Sequence, residues 1–357
     1  MFNQLLGQQP FSIPQSRKEA MLLSGLNDLT SHHYEHCEQY RRVIDTAWDG
    51  PRQYHHVADV PFIPVGLFKE HILSSTQTQS MVLHSSGTTG TVPSHIVLDP
   101  ETASRQSQAV VATFRQILGE RRLPFLAIDT SSIIRSAKLT ARGAGVLGMM
   151  KFGAKATFAL DEELELAKEV LKTFVASNGG QKFLIFGFTF LVWSRLYQSF
   201  SDGELDLSNA ILVHSGGWKK LESEKVSNEV FRAAFKRRFN LDNIYNFYGF
   251  VEQIGSILIE GPGGLLYPPN FTDIIVRRPG TWEEADVGET GVIQAVSLLP
   301  LSYPGHSVLT EDQGIVVSID DDASGRFGKA IKIVGRVEKT ELRGCSDVIA
   351  SSVATQG

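Results

Sequence analysis

Cysteine is scarce in this chain: Cys37 and Cys345 are the only two in 357 residues. They lie near opposite ends, so neither a disulfide framework nor a zinc cluster is expected, and each must be judged singly as a thiol. Positive charge is not in excess either. Lys+Arg number 34 against 39 Asp+Glu, a formal net charge of -5, which gives no electrostatic reason to expect nucleic acid or an anionic membrane as a partner. Long apolar runs are also missing. The longest, Phe183 to Trp193, contains Gly187 and Thr189 and is too short to span a bilayer, so it reads as a buried strand running into a helix. The amino-terminal residues Met1 to Gln8 lack the basic start and sustained apolar stretch of a signal peptide, which makes the cytoplasm the expected location. No internal repeat or low-complexity tract is visible. What is present, 42% hydrophobic and 20% charged residues, suffices for a large core in one big domain or two fused lobes.

The most informative stretch is Ser85-Ser86-Gly87-Thr88-Thr89-Gly90, directly after the apolar Met81-Val82-Leu83. Four hydroxyls and two glycines leave the backbone free to curl and to aim amide N–H and side-chain O–H donors at an anion such as a triphosphate. Composition alone would also fit an ordinary Ser/Gly/Thr turn. The setting argues for the cradle, because the loop lies between two extended runs, the second being His95-Ile96-Val97-Leu98. It is not a Walker loop, since Thr91-Val92-Pro93-Ser94 follows where Gly-Lys-Ser/Thr and a helix would be needed.

Taken in order, the chain opens with helical patterns to about Trp48, one starting at Ser16 and a second at the capping-type Ser31. His32, His33 and His36 in that second run invite a metal reading, but no convincing further ligand accompanies them. Pro61 to Lys69 forms a rigid apolar entry to the loop strand. Strands at Pro124–Ile128, Ala156–Leu160, Lys182–Gly187 and Ala210–His214 then alternate with helices at Thr102–Leu118, Ala137–Met150, Glu162–Ala176, Phe190–Phe200 and Glu224–Phe239. That alternation predicts an α/β fold with a mostly parallel sheet covered by helices. From Ile244 onward short strands separated by Gly/Pro turns predict a β-rich lobe. The expected organisation is a helical segment over 1–60, an α/β core over 61–243, a β-rich lobe over 244–334, and a hinge-like segment and tail over 335–357.

Three further segments bear polar groups at strand ends, where open α/β sheets bind ligands. His214-Ser215-Gly216-Gly217 would let a flat ring lie on bare backbone, Tyr248-Gly249-Phe250-Val251-Glu252 offers an aromatic face and a carboxylate, and Thr310-Glu311-Asp312-Gln313-Gly314 presents acidic groups before a strand. Each alone reads equally well as a turn, a core tyrosine or a hairpin tip. Phe186, Phe188, Phe190 and Phe247 either line an apolar tunnel or belong to plain core.

Their order, Ser85 to Gly90, Ser215-Gly216-Gly217, Tyr248-Gly249-x-x-Glu252, Asp312 and Gly335-Arg336, resembles the motif series of the adenylate-forming (ANL) superfamily. Within it the chain is most similar to acyl-protein synthetases of the LuxE type, through Pro64-Val65-x-Leu67-Phe68-Lys69, His214 to Lys219, Ser302 to Ser307, Leu309 to Asp312 and Arg343-Gly344-Cys345. The resemblance implies an adenylate-forming large domain with the C-terminal lid domain largely absent. It implies ATP and Mg²⁺ as cofactors and activation of a carboxylic, in this family fatty, acid to an acyl-adenylate, followed by transfer to a cysteine thiol. It implies Ser85, Ser86, Gly87, Thr88, Thr89 and Gly90 at the phosphates, and Ser215, Gly216, Gly217, Tyr248 and Gly249 at the adenine. Asp312 would hold the ribose, Arg336 the ribose or phosphate side, and Glu252 the metal. An acyl reductase or acyl-carrier protein is the implied partner.

Two departures from the superfamily bear on catalysis. Ser94 follows the loop's Pro93 where a lysine is usual, and the lid that delivers a catalytic lysine is expected to be absent. Phosphate neutralisation is therefore expected from the metal and from other cations, for which Lys219, Lys220, Arg336 and Arg343 are candidates, or from a partner protein. The resemblance carries the acylated cysteine over to Cys345, where Arg343 would lower the thiol pKa and the small polar residues around it read as a flexible tail. Cys37, between Glu35 and Glu38, has acidic neighbours that would raise its pKa. The alternatives left open are an acyl- or aryl-CoA or carrier-protein ligase, and a non-catalytic subunit of the same fold.

Overall fold

A computed structural model describes residues 1–78, 81–84, 93–135, 141–218, 223–320 and 325–337. In chain order the described helices are α1 (Phe2–Leu6), α2 (Gln15–His36), α3 (Glu38–Ala47), α4 (Leu67–Glu70), α5 (Pro100–Leu118), α6 (Ala141–Met150), α7 (Lys168–Asn178), α8 (Thr189–Leu191) and α9 (Asn228–Phe239). The strands are β1 (Ile63–Pro64), β2 (Met81–His84), β3 (His95–Leu98), β4 (Leu123–Ile128), β5 (Gly153–Phe158), β6 (Phe183–Phe188) and β7 (Ala210–Ser215). They continue with β8 (Asn243–Tyr248), β9 (Leu258–Glu260), β10 (Leu266–Tyr267), β11 (Thr272–Arg277), β12 (Thr290–Ser297), β13 (Ser307–Ile319) and β14 (Lys329–Arg336). The chain divides into two compact units, one of Met1–Thr113, Gly249–Leu258 and Leu265–Gly357, the other of Phe114–Tyr248 and Ile259–Gly264.

The second unit is the α/β part. Its strands run parallel in the order β8-β7-β6-β4-β5. Phe125 to Ile128, Phe183 to Phe186 and Ala210 to Val213 are buried on both faces, which is why these strands read as continuous apolar runs rather than alternating ones. Helices cover them: Leu171 and Phe174 of α7 and Phe231, Phe235 and Phe239 of α9 enter the same core as Trp193 and Tyr197. Ser227 caps α9 by accepting from the Val230 amide at 3.2 Å, and Asn240 ends it in the left-handed region at φ 57°.

Three helices of this unit differ from the sequence reading. One is α9, expected from Glu224, which begins only at Asn228 after its Ser227 cap. The helix expected over Glu162–Ala176 begins only at Lys168. Before it, Asp161 Oδ1 accepts from the amides of Glu163 and Glu165, Leu164 takes φ 63°, and Leu160 bridges Leu166, so the acidic run closes a turn instead. The run expected as a helix over Phe190–Phe200 is α8 followed by a π-helix over Val192–Tyr197.

The first unit carries an antiparallel sheet in the order β11-β12-β13-β14-β10, with β1 added parallel to β13 and a separate β2-β3 hairpin. Ser31 starts no helix. It lies inside the continuous 22-residue α2, whose first amide, Gln15 N–H, donates to Asp320 Oδ2 at 2.8 Å. Residues Thr310 to Gly314 lie within the 13-residue β13 rather than before a strand, and Gly335 and Arg336 end β14 in register with Gln313 and Asp312.

Burial in this unit collects charge and imidazole as well as apolar side chains. His33 and His306 stack at 4.9 Å with both rings fully buried; His33 Nδ1 meets Ser75 Oγ at 2.8 Å and His306 Nε2 meets Thr30 Oγ1 at 3.1 Å. Burial pushes His306 down to about 3 and, with the field of His306 added, holds His33 well below its usual range. In the second unit burial does the same to His214, again to about 3. These groups are neutral when folded at pH 5, whereas an unfolded histidine takes up its proton near 6.5. Their stabilising balance is therefore intact above about pH 6.5 and is lost progressively as pH falls from there toward 3. For His214 and His306 the expected loss is about 2 kcal/mol each at pH 5. Urea unfolding at pH 7.5 and pH 5 measures it, and equal midpoints would refute the neutral assignment.

Candidate active site

In the α/β unit the polar segments stand at the carboxyl ends of β6, β7 and β8, paired Phe188 to Ser215 and Ser215 to Phe247. His214 is turned into the core, its Nδ1 2.9 Å from Thr189 Oγ1 and its ring stacked on Phe231 at 4.7 Å, so it anchors the segment rather than facing a ligand. Ser215 Oγ donates to the Phe247 carbonyl at 2.9 Å, locking the ends of β7 and β8 together. Gly216 follows at φ 82°, and a Cβ there would stand 3.0 Å from Phe188 Cδ1. Beside Gly217 a Cβ would meet nothing within 4 Å, leaving room for a flat group against the backbone. Tyr248 ends β8 half-buried. Of the four phenylalanines, Phe186 is fully buried, with Phe247 stacked at 6.4 Å and Phe188 edge-on at 6.0 Å. Phe186 is therefore core and not tunnel wall.

The first unit holds the carboxylates. Glu252 sits in the short 3₁₀ turn Val251–Gln253 with 4% exposure. Gln253 fixes that turn by donating from Nε2 to the carbonyls of Ala295 and Gly305, both at 2.8 Å. Gly305 is required where it stands, because a Cβ would come within 2.7 Å of the Glu252 carbonyl and 2.3 Å of Tyr303 Cε2. Ser94 Oγ donates to Glu252 Oε1 at 2.5 Å. Burial raises the proton affinity of Glu252; the Ser94 bond and the charge of Lys69 oppose the rise, and Glu311 adds to it. A buried carboxylate whose charge is disfavoured suits a hard cation, and Mg²⁺ is commonly held by one or two carboxylates together with substrate phosphates. Among the described residues no group of three or more His, Cys, Asp or Glu could hold a metal by itself.

Asp312 on β13 pairs in register with Arg336 on β14, Oδ1 to Nε 3.4 Å, and its amide donates to Thr310 Oγ1 at 3.1 Å. The neighbouring Glu311 binds Lys69 Nζ at 3.1 Å. Glu252, Ser94, Lys69, Glu311, Asp312 and Arg336 thus belong to one unit, while Ser215, Gly216, Gly217 and Tyr248 belong to the other; Gly249 begins the return segment. Ser85 to Gly90, Lys219, Lys220, Arg343 and Cys345 lie outside the described residues. Cys37 is 1% exposed, and burial rather than its acidic neighbours is what raises its thiol pKa.

Lys69, Ser94 and Glu311 were not assigned from sequence. The first ends a motif that read as structural, and the contacts of all three depend on residues distant in the chain, Ser94 and Glu252 being 158 apart. The motif Ser302 to Ser307 was legible as a motif, and Gly305 shows what it does: it lets the chain close against Glu252.

Comparison with curated proteins gave no match. Among solved structures, 2-hydroxyisobutyryl-CoA ligase in an open conformation with 2-HIB-AMP and CoA is similar at a TM-score of 0.69 and 16% identity, covering 92% of this chain and 77% of that one. The same ligase in the thioesterification state gives 0.68 and 16%, covering 92% and 70%. At that identity the likeness concerns the fold, which is that of adenylate-forming enzymes: a mostly parallel, helix-covered sheet and a β-rich part. The family model described as "Acyl-protein synthetase, LuxE" matches residues 2–354, and the chain belongs to that family.

Proposed function

We propose that this protein is an AMP-forming ligase that activates a fatty acid as its acyl-adenylate and then carries the acyl group on Cys345 as a thioester. The family match over residues 2–354 carries the reading. ATP supplies the activation: a carboxylate oxygen attacks the α-phosphorus, pyrophosphate leaves, and a poor electrophile gains AMP as leaving group. The Cys345 thiolate then attacks the acyl carbon and AMP departs. What the protein contributes is positioning and charge screening. Ser85 to Gly90 would bind the phosphates and Glu252 the Mg²⁺ that accompanies them. Gly216, Gly217 and Tyr248 would receive the adenine, with Ser215 and Gly249 shaping the backbone around it. The donor set fits: Gly216 has the positive φ that a bare turn needs, and Asp312 is a carboxylate able to accept from two ribose hydroxyls once Arg336 shifts. Arg336, with 76% of its side chain exposed, is free to follow a phosphate, and Lys219 is a second cation for the same task.

The recipient proposed for the acyl group is a reductase; no helix among the described residues is long and apolar enough to cross a membrane. ATP-pyrophosphate exchange across acids of increasing chain length tests the first half-reaction, and intact-protein mass spectrometry after ATP and acid tests the second. Exchange with long-chain acids and a covalent acyl mass are expected. Exchange without an adduct would assign a CoA or carrier-protein ligase instead, and no exchange with any acid would leave a non-catalytic subunit.

A further inference from the structure

Lys69 closes the motif Pro64-Val65-x-Leu67-Phe68-Lys69, to which neither the nucleotide nor the acyl group has yet given a task. The geometry around it is built rather than accidental. β1 runs parallel to β13, with Ile63 opposite Val308 and Pro64 opposite Leu309, and Val65 N–H donates to the Leu309 carbonyl at 2.9 Å. The chain then turns at once into α4, the amides of Phe68 and Lys69 donating to the carbonyls of Val65 and Gly66. Phe68 is fully buried edge-on to Tyr303 at 6.1 Å, which fixes the rotation of that single turn. Lys69 is thereby delivered to Glu311, two residues beyond Leu309, with Nζ 3.1 Å from Oε1. Its charge also reaches Glu252, the carboxylate that Ser94 holds at 2.5 Å.

We propose that Lys69 is a phosphate-binding cation of this site, parked on Glu311 and transferred to the α-phosphate when the nucleotide binds. This rests on the adenylation reading. Two acidic side chains, Glu252 and Glu311, share the field of Lys69, and a phosphate brought beside them is repelled unless a cation stands with it. Lys69 is that cation, and it is held loosely. Its side chain is 31% exposed and that of Glu311 39%, a degree of solvation at which an ion pair contributes little, so a bound phosphate displaces Glu311 at small cost. A four-carbon stem with a rotatable ammonium suits such a transfer.

The test compares AMP with adenosine by titration calorimetry without metal or acid, which reports recognition of the α-phosphate separately from turnover. Wild-type protein is expected to prefer AMP. Lys69→Met should weaken AMP at least tenfold while leaving adenosine within twofold, and Lys69→Arg should keep AMP within threefold of wild type. Adenosine serves as the folding control in each variant. If Lys69→Met binds AMP as wild type does, if AMP and adenosine weaken by the same factor, or if Lys69→Arg loses as much as Lys69→Met, the assignment is overturned. A wild-type protein with no preference for AMP over adenosine overturns it as well, whereas one that exchanges no pyrophosphate and binds neither ligand defeats the adenylation reading itself.

Discussion

Asp273→Ala is expected to cost about 3 to 5 kcal/mol of folding stability, as removal of one partner from a buried charge cluster does. The Asp273 side chain has no exposed surface and stands between two ammonium groups, Lys18 Nζ at 3.6 Å from Oδ1 and Lys329 Nζ at 3.5 Å from Oδ2. Gln15 Nε2 adds a hydrogen bond at 2.6 Å. The side chains of Lys18 and Lys329 are themselves 2% and 4% exposed. Burial, joined by the like charge of Lys329, lowers the proton affinity of Lys18, and Asp273 works against that fall; for Lys329 burial is outweighed by Asp273, Glu284 and Glu19 together. Alanine would leave two buried cations facing each other without their shared counter-charge. Urea unfolding should show the full loss, and a change below about 1 kcal/mol would mean that water or rearranged carboxylates take over. Lys18→Met combined with Asp273→Ala should recover part of it, because one of the stranded charges is then gone.

Cys345→Ser should abolish the ATP- and acid-dependent acyl-protein thioester while leaving pyrophosphate exchange in place. Serine keeps the size of the side chain but is not a thiolate nucleophile, so the defect falls after adenylation. The competing thiol is disqualified on physical grounds, since Cys37 is buried among Tyr40, Val43 and Ile44 with its pKa raised by that burial. Cys37→Ser should therefore retain both half-reactions. Hydroxylamine-sensitive labelling with radioactive acid reads the adduct, and a Cys345→Ser protein that still accumulates it sinks the assignment.

What could be read in advance follows the range of the forces involved. The parallel strands β4, β6 and β7 announce themselves because burial on both faces makes them uniformly apolar, and α9 carries its own cap at Ser227. Local hydrogen bonding misled where it competed with helix periodicity, as at Asp161, and a capping-type residue misled where tertiary packing carried α2 straight through Ser31. For the site, Ser215, Tyr248 and Arg336 end strands and Glu252 sits in a turn, but their partners were invisible. The pairing of Ser94 with Glu252, of Lys69 with Glu311 and of His33 with His306 joins residues between 158 and 273 positions apart, as their numbers show. Nothing in local periodicity encodes a contact of that separation. Lys18 is a sharper case: inside an amphipathic helix a lysine reads as solvent-facing, and only the distant Asp273 makes its burial tolerable.

Strand β13 carries Glu311 and Asp312 as adjacent residues, one bound to Lys69 and the other to Arg336, where its ladder with β12 shifts register between Val292 and Gln294. Sliding this strand by a single position would hand each cation the wrong neighbour. Three ladders resist such a slip at once, those with β1, β12 and β14. Which cation meets which acid is thus stored in the register of β13, which substitutions in the flanking strands can weaken but cannot gradually retune.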